Sequence, residues 1–326
     1  MSLTLLGRRP HVSPAQLVAA LVPPPHFREA SFGSYRPDAN HASQSAALEA
    51  ARRFAKRAAK AGRRRRKSER ASGLYLDGGF GVGKTHLLVA IAREAGDAAA
   101  FGTFVEYTNL VGALGFIAAR DALSGFSVVC VDEFELDDPG DTLLMARLMR
   151  ELVEAGVAIA ASSNTPPGAL GDGRFAAQDF QREIQSLASV FDVVRIDGLD
   201  YRHRHTNEFS LPASADAVAA VGTREDGAVV DFADLVADIS HVHPSRYGAY
   251  VEGVAVLGVR DVATLTDQSQ ALRVVTLVDR LYDRDARIVA SGTGFDEVFS
   301  ADMLRGGYRK KYLRAQSRLL AMTAGE

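Results

Sequence analysis

The chain is poor in cysteine: Cys130 is the single one in 326 residues. That excludes an intramolecular disulfide and leaves no thiolate set for a zinc finger. The usage fits a reducing compartment. Long apolar runs are missing too. No uninterrupted stretch approaches the roughly 20 residues that a membrane-spanning helix needs. Met1–Leu6 is too short for the apolar part of a secretory signal, and Arg8, Arg9 and Pro10 follow it. The expectation is a cytoplasmic protein that touches membrane at most peripherally. Net charge is nearly absent as well, at a formal -2, which argues against a chain built as a whole to coat nucleic acid.

What is present is ordinary globular material, with 47% hydrophobic and 24% charged residues. The length points to two domains, with apolar residues enough for sizeable cores. Charge is nevertheless uneven. Arg52, Arg53, Lys56, Arg57, Lys60, the run Arg63–Lys67 and Arg70 are opposed only by Glu69. A solvated helix with its linker, a patch for a partner or lipid, and a nucleic-acid contact all remain open for this segment. Phe54 is the one aromatic residue among these charges, too few for stacked bases.

Proline-rich residues 1–43 read as an irregular arm, with Pro23–Pro25 in a row. A helix is expected from about Gln44 to Ala61, where Pro and Gly are absent. From Gly73 to His205, strands and helices alternate as in a parallel sheet covered on both faces. The strand candidates are Leu74–Leu76, Gly102–Tyr107, Ser127–Val131, Val157–Ala161 and Asp192–Ile196. Helices are expected at Lys84–Ala95, Leu110–Ala122 and Asp141–Glu154. Residues 206–326 read as a smaller α/β domain or lid. It opens with a loop through Pro212 and Gly222, and strands are expected at Tyr250–Leu257 and Arg287–Ser291. Its helices are expected at Leu272–Tyr282 and Tyr308–Met322.

The strongest chemical signal is Gly78-Gly79-Phe80-Gly81-Val82-Gly83-Lys84-Thr85, which matches GxxxxGK[ST]. Phosphates need a concave wall of backbone N–H groups, and glycines permit the turns that build one. The following helix adds its positive end, Lys84 a mobile cation, and Thr85 a hydroxyl for magnesium. Val128–Val131 then delivers Asp132 and Glu133 to the end of a buried strand, where ligands of parallel sheets bind. In that setting Asp132 suits the magnesium shell and Glu133 suits polarising a water. Asn164 ends the next strand, at the position that orients this water in additional-strand P-loop ATPases. Together these features point to an ATP- and Mg²⁺-using P-loop NTPase of the AAA+ type.

The run Cys130–Asp138 with Asp141, and Ala161-Ser162-Ser163-Asn164-Thr165-Pro166-Pro167, resemble the ZapE-type cell-division ATPases and their mitochondrial lactation-elevated-like relatives. Asp200-Tyr201-Arg202, Leu277–Asp283 and Ser317-Arg318-Leu319 resemble further blocks of that family. The resemblance implies an ATP hydrolase that remodels a partner complex, with the tubulin-like FtsZ ring as partner, and an arginine supplied across a homo-oligomer. The family's usual arginine position falls on Ala177 if Phe180 and Ile184 are aligned, so Arg182 is the first choice for that role and Arg174 the second. Arg202 either contacts the γ-phosphate as a lid sensor or pairs with a surface acid such as Asp200. Arg273 is a weaker sensor candidate. Lys84-Thr85-His86-Leu87-Leu88 looks more like replication-initiation and helicase-loading ATPases, which keeps a nucleic-acid-associated ATPase as the alternative. His241 and His243 have ligand-like spacing, but a polar loop before Pro244 accounts for them better.

Overall fold

The computed structural model describes residues 3–63, 73–79, 81–134, 139–166, 189, 191–198 and 212–323. Phe80, Arg174, Ala177, Phe180, Arg182, Ile184, Asp200, Tyr201, Arg202 and basic residues 64–70 lie outside the described residues. The chain divides into two units. One holds Pro14–Pro23 and Phe27–His205, the other Met1–Ser13, Pro24–His26 and Thr206–Glu326. The first forty-odd residues are therefore not one irregular piece: they are shared between the units and contain a helix.

In the first unit the order is α1 (Pro14–Ala19), α2 (Ala42–Arg63), β1 (Gly73–Gly78), α3 (Lys84–Ala95), β2 (Ala99–Thr103), α4 (Phe104–Leu114), α5 (Phe116–Leu123), β3 (Val128–Asp132), α6 (Pro139–Glu154), β4 (Ala158–Ser163) and β5 (Phe191–Ile196). The strands form one parallel sheet in the order β2-β3-β4-β1-β5. Strands β1, β3 and β4 are buried along their whole length, which is why they read as continuous apolar runs rather than alternating ones. Leu74 and Leu76 face a core with Ala51 and Phe54 of α2 and Leu87, Leu88 and Ile91 of α3. Tyr75, Val129, Val131 and Ile159 face the other core, with Phe104 and Tyr107 of α4 and Leu148 and Leu152 of α6. The helix after β1 thus covers one face and those after β2 and β3 the other. That reversal opens a crevice at the C-terminal ends of the strands beside β1.

Two expected elements shift here. The strand expected at Gly102–Tyr107 ends at Thr103. The Thr103 hydroxyl accepts the Glu106 N–H at 3.2 Å, and the Glu106 carboxylate accepts the Thr103 N–H at 2.7 Å. This reciprocal cap starts a helix at Phe104 despite its β-favouring residues. The helix expected over Leu110–Ala122 breaks at Gly115, where φ is +80°, a conformation that glycine adopts without cost.

The second unit runs α7 (Ala215–Val221), β6 (Gly227–Asp231), α8 (Phe232–Ser240), α9 (Tyr247–Tyr250), β7 (Val256–Val262), α10 (Gln268–Tyr282), β8 (Arg287–Gly292) and α11 (Arg309–Thr323). Its three strands are parallel in the order β6-β7-β8. The strand expected from Tyr250 starts instead at Val256. Tyr247 and Tyr250 are helical and buried, their hydroxyls donating to the Ile239 carbonyl at 2.9 Å and to Asp238 at 2.7 Å. The expected loop through Pro212 and Gly222 contains α7, capped by Ser214. Arg273 is held inside this unit, donating to the Val242 carbonyl at 3.2 Å and the Tyr247 hydroxyl at 3.3 Å. His243 caps the turn at Pro244, accepting the Ser245 N–H. Among the described residues, no helix is long and apolar enough to cross a membrane.

The N-terminal residues belong to this unit's core. Leu3 N–H donates to the Gly227 carbonyl at 2.8 Å, covering one sheet edge, while Ala213 N–H donates to the Ala290 carbonyl at 2.7 Å on the other. Leu5 is 2% exposed among the core residues. Arg8 donates to the carbonyls of Tyr250 and Glu252, and Arg9 pairs with Asp238 at 2.7 Å. Leu5→Ala is expected to destabilise the unit by about 2–4 kcal/mol through the cavity left behind. A lower urea midpoint, followed by tyrosine fluorescence, measures it; a wild-type midpoint would contradict the anchoring.

Candidate nucleotide site

Gly78, Gly81 and Gly83 are there for space or for backbone angle. A Cβ on Gly78 would lie 2.3 Å from the Ile196 carbonyl oxygen of the neighbouring strand. Gly81 and Gly83 have φ of +69° and +91°, values that L side chains resist. Gly83 is the N-cap of α3 and has no side chain with which to close the helix end. The first N–H groups of α3 give this end of the helix the positive character that suits phosphate.

Lys84 opens the helix and is buried. Its ammonium donates to the carbonyls of Gly78 at 2.8 Å and of Gly79, and to Asn164 Oδ1 at 2.9 Å. Asn164 reaches the lysine because β4 lies beside β1, with Leu76 opposite Ser162 and Asp77 opposite Ser163. Two residues 80 apart in sequence thus share one hydrogen bond.

Thr85, next in the helix, donates to Asp132 Oδ2 at 3.0 Å. Ser162 of β4 donates to the other carboxylate oxygen, Oδ1. Burial and, secondarily, the charge of Glu133 push the Asp132 pKa up, while Ser162, Thr85 and Lys84 draw it partly back. A buried carboxylate under such strain gains from a divalent cation, and a carboxylate with a hydroxyl is the hard-oxygen donor set that magnesium prefers.

Glu133 follows with φ at +54°, an uncommon angle for a residue with a side chain. Ser162 holds that turn from both sides. Its hydroxyl accepts the Glu133 N–H at 3.3 Å, and its carbonyl accepts the Phe134 N–H at 2.7 Å. Phe134 is fully buried against the rings of Phe104 and Tyr75, so the chain cannot relax the angle without unburying an aromatic side chain.

The structure therefore gathers Gly78, Gly79, Gly81, Val82, Gly83, Lys84, Thr85, Asp132, Glu133 and Asn164 at one end of the sheet. The sequence model of the AFG1-like ATPase family matches residues 11–221 and 213–326. The chain belongs to that family. Escherichia coli K12 cell division protein ZapE is 26% identical over 289 residues, covering 75% of this chain and 77% of that one. Lactation elevated protein 1 homolog B of Danio rerio is 25% identical over 209 residues, covering 53% and 42%. Among solved structures, domain III of the Thermotoga maritima replication initiation protein DnaA superposes with a TM-score of 0.42 at 18% identity, covering 68% and 86%.

Family membership makes this a nucleotide-binding ATPase chain. Two family-like blocks of the second unit turn out to be partners: Asp279 is bound by Arg314 at 3.1 Å and by Arg318. Burial pushes that carboxyl up, but the arginines outweigh it and hold it below the usual range. These blocks therefore pack α10 on α11.

Ser162 is the site residue that sequence reasoning passed over in favour of Asn164. Its signal was the first of two serines closing a strand of alanine and isoleucine, two residues before the amide. Ser162→Ala is expected to leave Asp132 and the Glu133 N–H each one partner short, costing about 1–3 kcal/mol. Urea unfolding and steady-state turnover measure it together. Wild-type values of both would remove Ser162 from the site.

Proposed function

We propose that the chain is a magnesium-dependent ATP hydrolase that converts ATP and water to ADP and phosphate. The observation carrying this reading is the convergence of Lys84 with Asn164 and of Thr85 with Asp132 at one end of the sheet. In it, the loop N–H groups and Lys84 bind the β- and γ-phosphates. Thr85 and Asp132 would hold Mg²⁺, which when bound supplies charge neutralisation to the phosphates. Glu133 polarises the attacking water, and Asn164 helps to orient it. Such catalysis is mostly positioning and electrostatics.

Arg202 and Arg182 complete the proposal as lid sensor and as the arginine given across a homo-oligomer. By its likeness to a protein named for cell division, we extend the reading to remodelling of a division complex in the cytoplasm, with FtsZ as partner. Peripheral membrane contact and nucleic-acid binding through the Arg52–Arg70 segment are secondary extensions.

Lys84→Ala is expected to lose tight ATP binding in a fluorescence titration with magnesium; unchanged affinity would remove the assignment. Glu133→Gln is expected to keep binding while turnover falls about 100-fold or more, and normal turnover would move the base elsewhere.

Arg182→Ala is expected to bind ATP but hydrolyse it slowly, since such an arginine contributes about 10³-fold or more. Mixing it with Lys84→Ala protein is expected to restore part of the activity. Normal hydrolysis by Arg182→Ala at every protein concentration refutes that role.

A further inference from the structure

The phosphate loop is also held from outside, by a turn of the N-terminal segment. Ser34 and Tyr35 N–H groups both donate to the Ser31 carbonyl at 3.2 Å, closing a compact turn. Tyr35 is 7% exposed, and its hydroxyl donates to the Val82 carbonyl at 3.2 Å. Its ring lies directly on Gly83, where an added Cβ would come within 2.6 Å of Cε2. On the first turn of α3, His86 Nε2 meets the Ser31 carbonyl at 2.9 Å and Ser34 Oγ at 3.1 Å. The His86 and Tyr35 rings meet edge to face at 5.5 Å. The junction between loop and helix is thus gripped on both sides of Lys84.

One consequence follows from peptide geometry. The Val82–Gly83 bond is trans, since there is no cis peptide among the described residues, and in a planar trans peptide the C=O and N–H point in opposite directions. With the Val82 carbonyl turned toward Tyr35, the Gly83 N–H points the opposite way, away from the tyrosine. Glycine alone would not hold that peptide in place, because it populates both signs of φ. Burial pushes the Tyr35 phenol up, so at neutral pH its hydroxyl keeps the proton that it donates.

We infer that Tyr35 is a positioning residue for phosphate binding: it locks the Val82–Gly83 peptide with its N–H presented to the anion. The inference rests on the nucleotide-site reading above and adds to it a residue about fifty positions away from the loop.

The test compares the full chain with Tyr35→Phe, which keeps the ring on Gly83 and removes the hydroxyl. ADP and adenosine are titrated calorimetrically, and melting without nucleotide is recorded. The expected result is a Kd for ADP raised about 5-fold, the weight of one hydrogen bond, with unchanged adenosine binding and a modestly lower melting temperature, since the buried Val82 carbonyl loses its partner. Tyr35→Ala is expected to lose more, since the ring no longer restrains Gly83. ADP affinity unchanged in Tyr35→Phe overturns the inference while leaving the nucleotide site intact. An equal loss for adenosine also overturns it, because the hydroxyl would then serve general packing. If the wild type binds no ADP, the nucleotide-site reading falls, and this inference falls with it.

Discussion

A buried carboxylate is the constraint from which the rest of this architecture follows. Asp132 is 7% exposed, and a carboxylate taken out of water is tolerated only when its oxygens are bonded. Those bonds come from Thr85 at the start of α3 and from Ser162 at the end of β4. Neither donor is near Asp132 in sequence. To bring them together, β4 must lie between β3 and β1, and the helix after β1 must begin where those strands end. The sheet order β2-β3-β4-β1-β5 meets that demand. Continuous apolar strands, buried on both faces, fix it firmly enough to keep an ionisable group in place.

How much of this was legible beforehand depends on the range of the interaction concerned. Helix α3 was readable to its ends because Gly83 and Gly96 bracket an apolar stripe. The strands ending at Asp132 and Asn164 were readable because burial on both faces writes an unbroken apolar run. Around residues 102–107 the reading failed for a local reason: Phe104, Val105 and Tyr107 favour strands, yet the Thr103–Glu106 cap outweighed them. In the second unit the failures were tertiary. Gly227–Asp231 is short and glycine-led and becomes a strand by pairing with β7. Tyr250 looked like strand but turned helical, where its hydroxyl finds Asp238.

Within the candidate site the same distinction holds. Lys84 and Thr85 stood out from the spacing of the loop motif, and Asp132, Glu133 and Asn164 from their order at strand ends downstream of it. Groups that act by holding others did not, because Ser162 and Tyr35 have meaning only through register and chain crossing. Arg273 shows the converse. An arginine in a helix near family-like residues suggested a phosphate sensor, but its guanidinium is engaged by the carbonyls that end α8. Helix ends leave such carbonyls without intrahelical partners, and a nearby cation satisfies them.

The dependence of both acids on Ser162 has a further consequence. One hydroxyl donates to Asp132 and accepts from the Glu133 N–H, while the carbonyl of the same residue accepts from Phe134. Asp132 and Glu133, proposed for the metal and for the water, are therefore not independently placed. A strained backbone angle such as Glu133's costs about 1–3 kcal/mol and persists only where its surroundings over-determine it. Here they do so through a single β4 residue and a buried phenylalanine. Any slip of β4 against β3 would disturb the carboxylate and the strained turn together. Asn164 lies two residues further along the same strand end, bonded to Lys84, and such a slip would reach the lysine as well. The residues proposed for the metal, the water and the phosphates thus share one mechanical support, the end of β4.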